Sequence, residues 1–335
     1  MKDDASRLRK RLRRVGLSEA AVNAAWPTWW SDAADASPSA QAELRFSVAR
    51  KLGLDPRSLL EDGQEPRFIW RDEARFKHLS GESALERSAI TSFGTSLGRY
   101  LIAATATFAP GVRFASLDLR KSILRDQPFV RLVDLLSACW SIGTPVVHLR
   151  IFPLAQKRMS AMTVRFDDRN AIMMGKDSDY PAHIAFYLAH ELAHIALGHL
   201  SKETVFVDLE SSSLASPEDD PEEAAADRFA LELLTGEAEP KVLTKLKKYN
   251  PYQLADAAFR ASTDLRIEPG TLVLCFAYST GDWATANAAM KRVYPSPKPA
   301  WAEINKIALN ELDFDLVPDD AKSYLMAALG VASST

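Results

Sequence analysis

The sequence predicts an α+β chain, mostly helical, in which one small β-sheet packs on a buried helix and helical regions flank both. Three observations predict it. Apolar residues recur at helical spacing through most of the 335 residues. That pattern breaks at Gly143-Thr144-Pro145, after which 146–152, 161–166 and 171–175 read as short strands between turn residues. A stretch that opens at Pro181 and ends near Gly198 is then helical in spacing and apolar on most sides, the pattern of a core helix.

Taken in order, seven basic side chains crowd residues 1–14, with Leu8, Leu12 and Val15 at helical spacing: a basic-faced helix ending near Gly16. Ser18 caps a second helix. After a polar stretch over 31–39, Pro38 opens a third, with Leu44, Val48 and Leu52 on one face and Gly53 as its stop; Asp55-Pro56 begins a short fourth. Residues 63–66 read as a boundary. Between 67 and 140, Leu97, Leu101 and Ala104 mark one helical pattern and Ile123, Val130, Leu132 and Leu136 mark others. Asp167-Asp168-Arg169-Asn170 reads as a hairpin connection, and Ser178 or Asp179 as the cap of the helix from Pro181. Residues 203–227 hold nine acidic side chains and no basic one, with 211–220 loop-like. A further helix opens at Pro221, and the chain from about Lys241 is helical, punctuated by Pro295, Pro297 and Pro299. The expected division is a helical module over 1–65, a central domain over 66–245 and a helical region over 246–335.

The length allows about two domains at roughly 150 residues each, and 47% hydrophobic residues suffice for a core. A net charge of −3 argues against a disordered chain and against a strongly basic nucleic-acid binder. Cys139 and Cys275, far apart, are expected as buried thiols in a reducing compartment. No run approaches the roughly 18 apolar residues of a membrane helix, and the basic N-terminus precedes no apolar stretch. A cytoplasmic protein without membrane contact is expected.

One motif stands above this background: His190-Glu191-Leu192-Ala193-His194. Histidines four apart share a helix face and can chelate one Zn²⁺, while Glu191 sits beside the ion as a base for an attacking water. Catalytic zinc sites usually have three protein ligands. The third is expected from the helix after Pro221, where Glu223 and Asp227 lie one turn apart: Glu223 as ligand, with Glu222 as the alternative, and Asp227 as hydrogen-bond acceptor for a ligand imidazole. The three alanines between them allow close helix approach. The same stretch also reads as a helix start, with Asp220 as N-cap and Glu223 in a capping box.

HExxH followed by Glu223-x-x-x-Asp227 resembles the gluzincin pattern. The longer text FYLAHELAHIALGH from Phe186 to His199, then EEAAADRFALELL from Glu222 to Leu234, resembles the ImmA/IrrE family of bacterial and phage metallopeptidases, most strongly over 145–240. The resemblance implies a compact zinc peptidase with a small sheet beside its metal-binding helices, one Zn²⁺ per chain. It also implies regulated proteolysis, with a helix-turn-helix repressor encoded nearby as the protein substrate, in stress, mobile-element or phage-defence responses. Residues 12–22 and 38–60 resemble the outer parts of an XRE-type helix-turn-helix domain. Trp26-Pro27-Thr28-Trp29-Trp30 stands where a recognition helix should offer polar side chains, which suits packing or a protein interface better than direct DNA binding.

In this reading Zn²⁺ polarises a peptide carbonyl, and Glu191 takes a proton from water and passes it to the leaving amine. His199 is a helix cap or an oxyanion donor; Tyr180, Tyr187 and Arg228 are further candidates for transition-state or rim contacts. Asp208 and Glu210 could rim the cleft, and 203–220 could shade it. Two other readings use the same residues: a DNA- or protein-binding regulator with a non-catalytic zinc, and the protease toxin of a two-gene pair. Gly94 and Gly98 lack the Lys-Ser/Thr of a phosphate loop.

Overall fold

The computed structural model describes residues 4–61, 63–70, 83–106, 113–155, 159–200, 220–240 and 249–331, and the backbone of strand residues 74–76 and 205–209. The polar stretch 211–219, Glu210 and the side chain of Asp208 lie outside the described residues. The chain is mostly helical with one small sheet.

The helices α1 (Asp4–Arg14), α2 (Glu19–Ala25), α3 (Pro38–Leu52) and α4 (Pro56–Leu60) come first. Ser18, Ser37 and Asp55 cap the last three, and Gly53 in the left-handed conformation ends α3. No α-helix covers 26–37, which holds only turns and a short 3-10 turn at Ala34–Ala36. The second helix of a helix-turn-helix is therefore missing where the tryptophans stand. Trp26 and Trp30 pack against the main core, and the Arg9 guanidinium lies 3.8 Å over the Trp26 ring. Arg11 donates to the carbonyls of Ser58 and Gln64. Part of the basic face of α1 thus ties the module together.

Next come β1 (Ala74–Phe76), α5 (Ala84–Ala103), α6 (Ser116–Ile123) and α7 (Leu132–Ser141). The expected strands follow as β2 (Val146–His148), β3 (Met159–Phe166) and β4 (Arg169–Met174), with Asp167 at positive φ in the β3–β4 turn. Then come α8 (Pro181–Leu197), β5 (Val205–Leu209), α9 (Pro221–Thr235) and five helices: α10 (Pro251–Leu265), α11 (Pro269–Thr280), α12 (Trp283–Val293), α13 (Ala300–Glu311) and α14 (Asp319–Ala328). Among the described residues no helix is long and apolar enough to cross a membrane.

The sheet runs β1-β5-β3-β4-β2, antiparallel at its centre and parallel at both outer pairs. The period-2 alternation of its strands divides two cores. Met162, Val164, Ala171 and Met173 face the core that contains α5 and the N-terminal helices. Ala161, Ile172 and Met174 face the core that contains α7, α8 and α9. Gly94 and Gly98 let α5 lie close on β3: a Cβ at Gly94 would fall 1.8 Å from Met162 Sδ, and one at Gly98 2.2 Å from Val164 Cγ2. That close approach accounts for the two glycines.

The outer edge of β2 is closed by a side chain. Asn305 of α13 accepts from His148 N–H at 2.7 Å and donates to the carbonyls of His148 and Leu329 at 2.8 and 2.9 Å. A third cluster joins α10, α11 and α12 to Ala182 at the start of α8. Both cysteines are buried and unpaired, and burial pushes each thiol up to about 12.

Candidate metal centre

Two helices build the site. Tyr180 is the N-cap of α8 but supplies no side-chain cap; Ser178 instead bonds the Tyr180 N–H. Pro181 starts the helix, and Gly198 ends it in the left-handed conformation. Asp220 caps α9, accepting from the N–H groups of Glu222 and Glu223. Glu223 makes no capping box: its backbone serves the cap while its side chain turns into the core. α8 and α9 run antiparallel, with Ala189, Ala193, Ala226 and Ala230 buried in the core they share.

His190, His194 and Glu223 converge there, 2%, 0% and 1% exposed. His190 Nε2 lies 3.0 Å from His194 Nε2 and 3.3 Å from Glu223 Oε2, and His194 Nε2 lies 3.5 Å from Glu223 Oε1. Ligand atoms about 2.0–2.1 Å from one tetrahedral ion stand roughly 3.3 Å apart, so the donor set fits a metal ion. Its chemistry fits too. Asp227 Oδ1 lies 2.8 Å from His190 Nδ1. A carboxylate can only accept, so Nδ1 carries the proton and Nε2 turns its lone pair to the centre. Imidazole nitrogens and a carboxylate aimed at one buried point are an arrangement a cation stabilises.

Glu191 is fully buried beside this cluster, and its Oε2 accepts from Thr163 Oγ1 of β3 at 2.5 Å. Thr163 was not among the sequence candidates. It shares the face of β3 with Ala161, and no local pattern announces its contact with Glu191, 28 residues away. His199 was read as a cap or an oxyanion donor. The left-handed turn at Gly198 places its N–H on the His194 carbonyl at 3.0 Å and its Nδ1 3.0 Å from His194 Nδ1. Its ring therefore serves a metal-ligand candidate. Burial lowers the His199 pKa, against the opposite pull of Glu222, Glu223 and Asp220.

Of three other candidates, Tyr180 and Arg228 stand away from the cluster. Tyr180 is ten residues before His190, about 15 Å along the helix, with its ring stacked on Tyr294 in the third core. Arg228 follows Asp227 but points outward and is exposed, because adjacent helical residues lie on different faces. Tyr187 packs edge-on against Phe186 and lines a neighbouring cavity.

Residues 146–264 match the peptidase M78 family model, the IrrE N-terminal-like domain. The match begins at the first residue of β2 and ends within α10, and so contains every residue of the cluster. No curated protein and no solved structure matches the chain. Over residues 146–264 the match supports the resemblance to the ImmA/IrrE family of metallopeptidases.

Proposed function

We propose that the chain is a zinc-dependent endopeptidase acting in regulated proteolysis, with a helix-turn-helix repressor or similar protein as its substrate. The triangle of donor atoms from His190, His194 and Glu223, with a buried carboxylate alongside, carries this reading. A zinc ion held there supplies Lewis acidity to a peptide carbonyl and to water. Every other part belongs to the chain. Asp227 fixes the tautomer of His190. His199 does the same for His194 by accepting its Nδ1 proton. Thr163 orients Glu191, which accepts a proton from the attacking water and delivers it to the leaving amine.

Two observations weigh against the DNA-binding alternative: 26–37 lacks a recognition helix, and Arg9 and Arg11 serve internal contacts. The test is cleavage of repressors encoded beside this chain's gene by the zinc-loaded protein, read by intact mass. The wild type is expected to cut, and Glu191→Gln to keep its zinc but lose about 10²–10⁴ in rate. Full activity in Glu191→Gln would overturn the mechanism. Tight operator binding by a zinc-loaded wild type that cuts nothing would favour the regulator.

A further inference from the structure

The metal cluster occupies only part of the interface between α8 and α9. One turn before His190 lie Phe186 and Tyr187. On the facing helix, Leu231 lies one turn beyond Asp227. These three line a cavity of about 830 Å³. The Phe186 ring centroid is 6.4 Å from that of His190, so the cavity and the cluster share a boundary. The opposite wall comes from α11, through Leu274 and Tyr278, and from Trp283 at the start of α12. Tyr278 and Trp283 stand edge to face at 4.8 Å and are 40% and 37% exposed, which places them at the mouth. α11 and α12 lie beyond the family match at 264. That wall therefore stands outside the matched domain.

We infer that this cavity is a specificity subsite that takes bulky apolar side chains of the protein being cut, on one side of the bond presented at the metal cluster. The inference rests on the peptidase reading. Adjacency to the cluster selects this occupant: a chain with its scissile bond at His190 and His194 brings a neighbouring side chain towards Phe186, the residue that the cavity and the cluster share. The walls are mostly apolar, with Lys176, Asp177, His183 and Glu239 among the polar lining, and the size falls within the roughly 300–1,000 Å³ of ligand pockets. Discrimination arises from apolar burial: in such pockets even one methylene is worth about 10- to 200-fold.

The experiment uses the full zinc-loaded chain and two dipeptide hydroxamates, identical except for a benzyl or a methyl side chain nearest the hydroxamate. Affinities are read by calorimetry. The benzyl compound is expected to bind at least about tenfold tighter. Leu274→Trp, which fills the cavity, should bring the ratio close to one. Trp283→Ala, at the partly exposed mouth, should lower it in the same direction without a core change. The ratio is internal to each protein, so a partial loss of metal or fold leaves it unaltered. Equal affinities in the wild type, or a ratio preserved in both variants, overturn the subsite. A zinc-loaded protein that binds neither hydroxamate also overturns the subsite alone. A wild type that holds no zinc overturns the peptidase reading and the subsite with it.

Discussion

Removing Asp227 perturbs the metal centre without touching a ligand. Its Oδ1 accepts from His190 Nδ1 at 2.8 Å, and both residues are almost fully buried. Asp227→Ala leaves His190 free to turn or change tautomer and strands a buried N–H. Loss of such outer contacts typically weakens metal binding about 10- to 100-fold, or about 1.4–2.7 kcal/mol. Asp227→Asn separates the contributions: its amide oxygen still accepts from Nδ1, so orientation survives and only the negative charge is lost. Asn should therefore lie between wild type and Ala. His199→Ala extends the comparison to the second imidazole, through the 3.0 Å contact with His194. The assay is competition for zinc against a chromophoric chelator at fixed pH, with circular dichroism confirming the fold. Zinc affinity of Asp227→Ala within twofold of the wild type would refute the reasoning.

Two further predictions concern the frame around the site. Asn305→Leu removes one acceptor and two donors from the buried edge of β2, and a stranded buried group costs about 1–3 kcal/mol. With partial relaxation, about 2–4 kcal/mol of stability should be lost in urea unfolding; a loss below 1 kcal/mol would contradict the edge-closing role. Burial, reinforced by Lys176, lowers the His183 pKa. Its contribution to stability is fully present above the unfolded value of about 6.5 and is lost as pH falls through the lower folded value. His183→Gln should thus flatten the acid side of the stability profile, read as Tm from pH 8 to 5 in chelator; parallel profiles for the two proteins would count against it.

What could be read from the sequence follows from how local each feature is. α8 and α9 carry their own boundaries in Pro181, Gly198, Asp220 and Pro221, and the i, i+4 spacing of His190/His194 and Glu223/Asp227 fixes which side chains share a face. β1 and β5 went unread. β1 has only three residues, and Val205–Leu209 alternates like a strand but stands in an acidic stretch; their strand character comes from distant pairing with each other and with β3. Thr163 and Asn305 act through contacts 28 and 157 residues away, which no local pattern announces. Arg228 follows Asp227 in sequence, but helix phase turns it towards solvent. The glycines of α5 showed their use only once Met162 and Val164 were seen beneath them.

The central claim is that His190, His194 and Glu223 together hold one zinc. Elemental analysis of wild type and Glu223→Ala, prepared in parallel and dialysed against the same weak chelator, tests it most directly. The expected result is close to one zinc per wild-type chain and much weaker retention in the variant, whose buried cluster keeps only its two imidazoles. A wild type without zinc after reconstitution, or a Glu223→Ala protein that retains it as firmly as the wild type, would contradict the account.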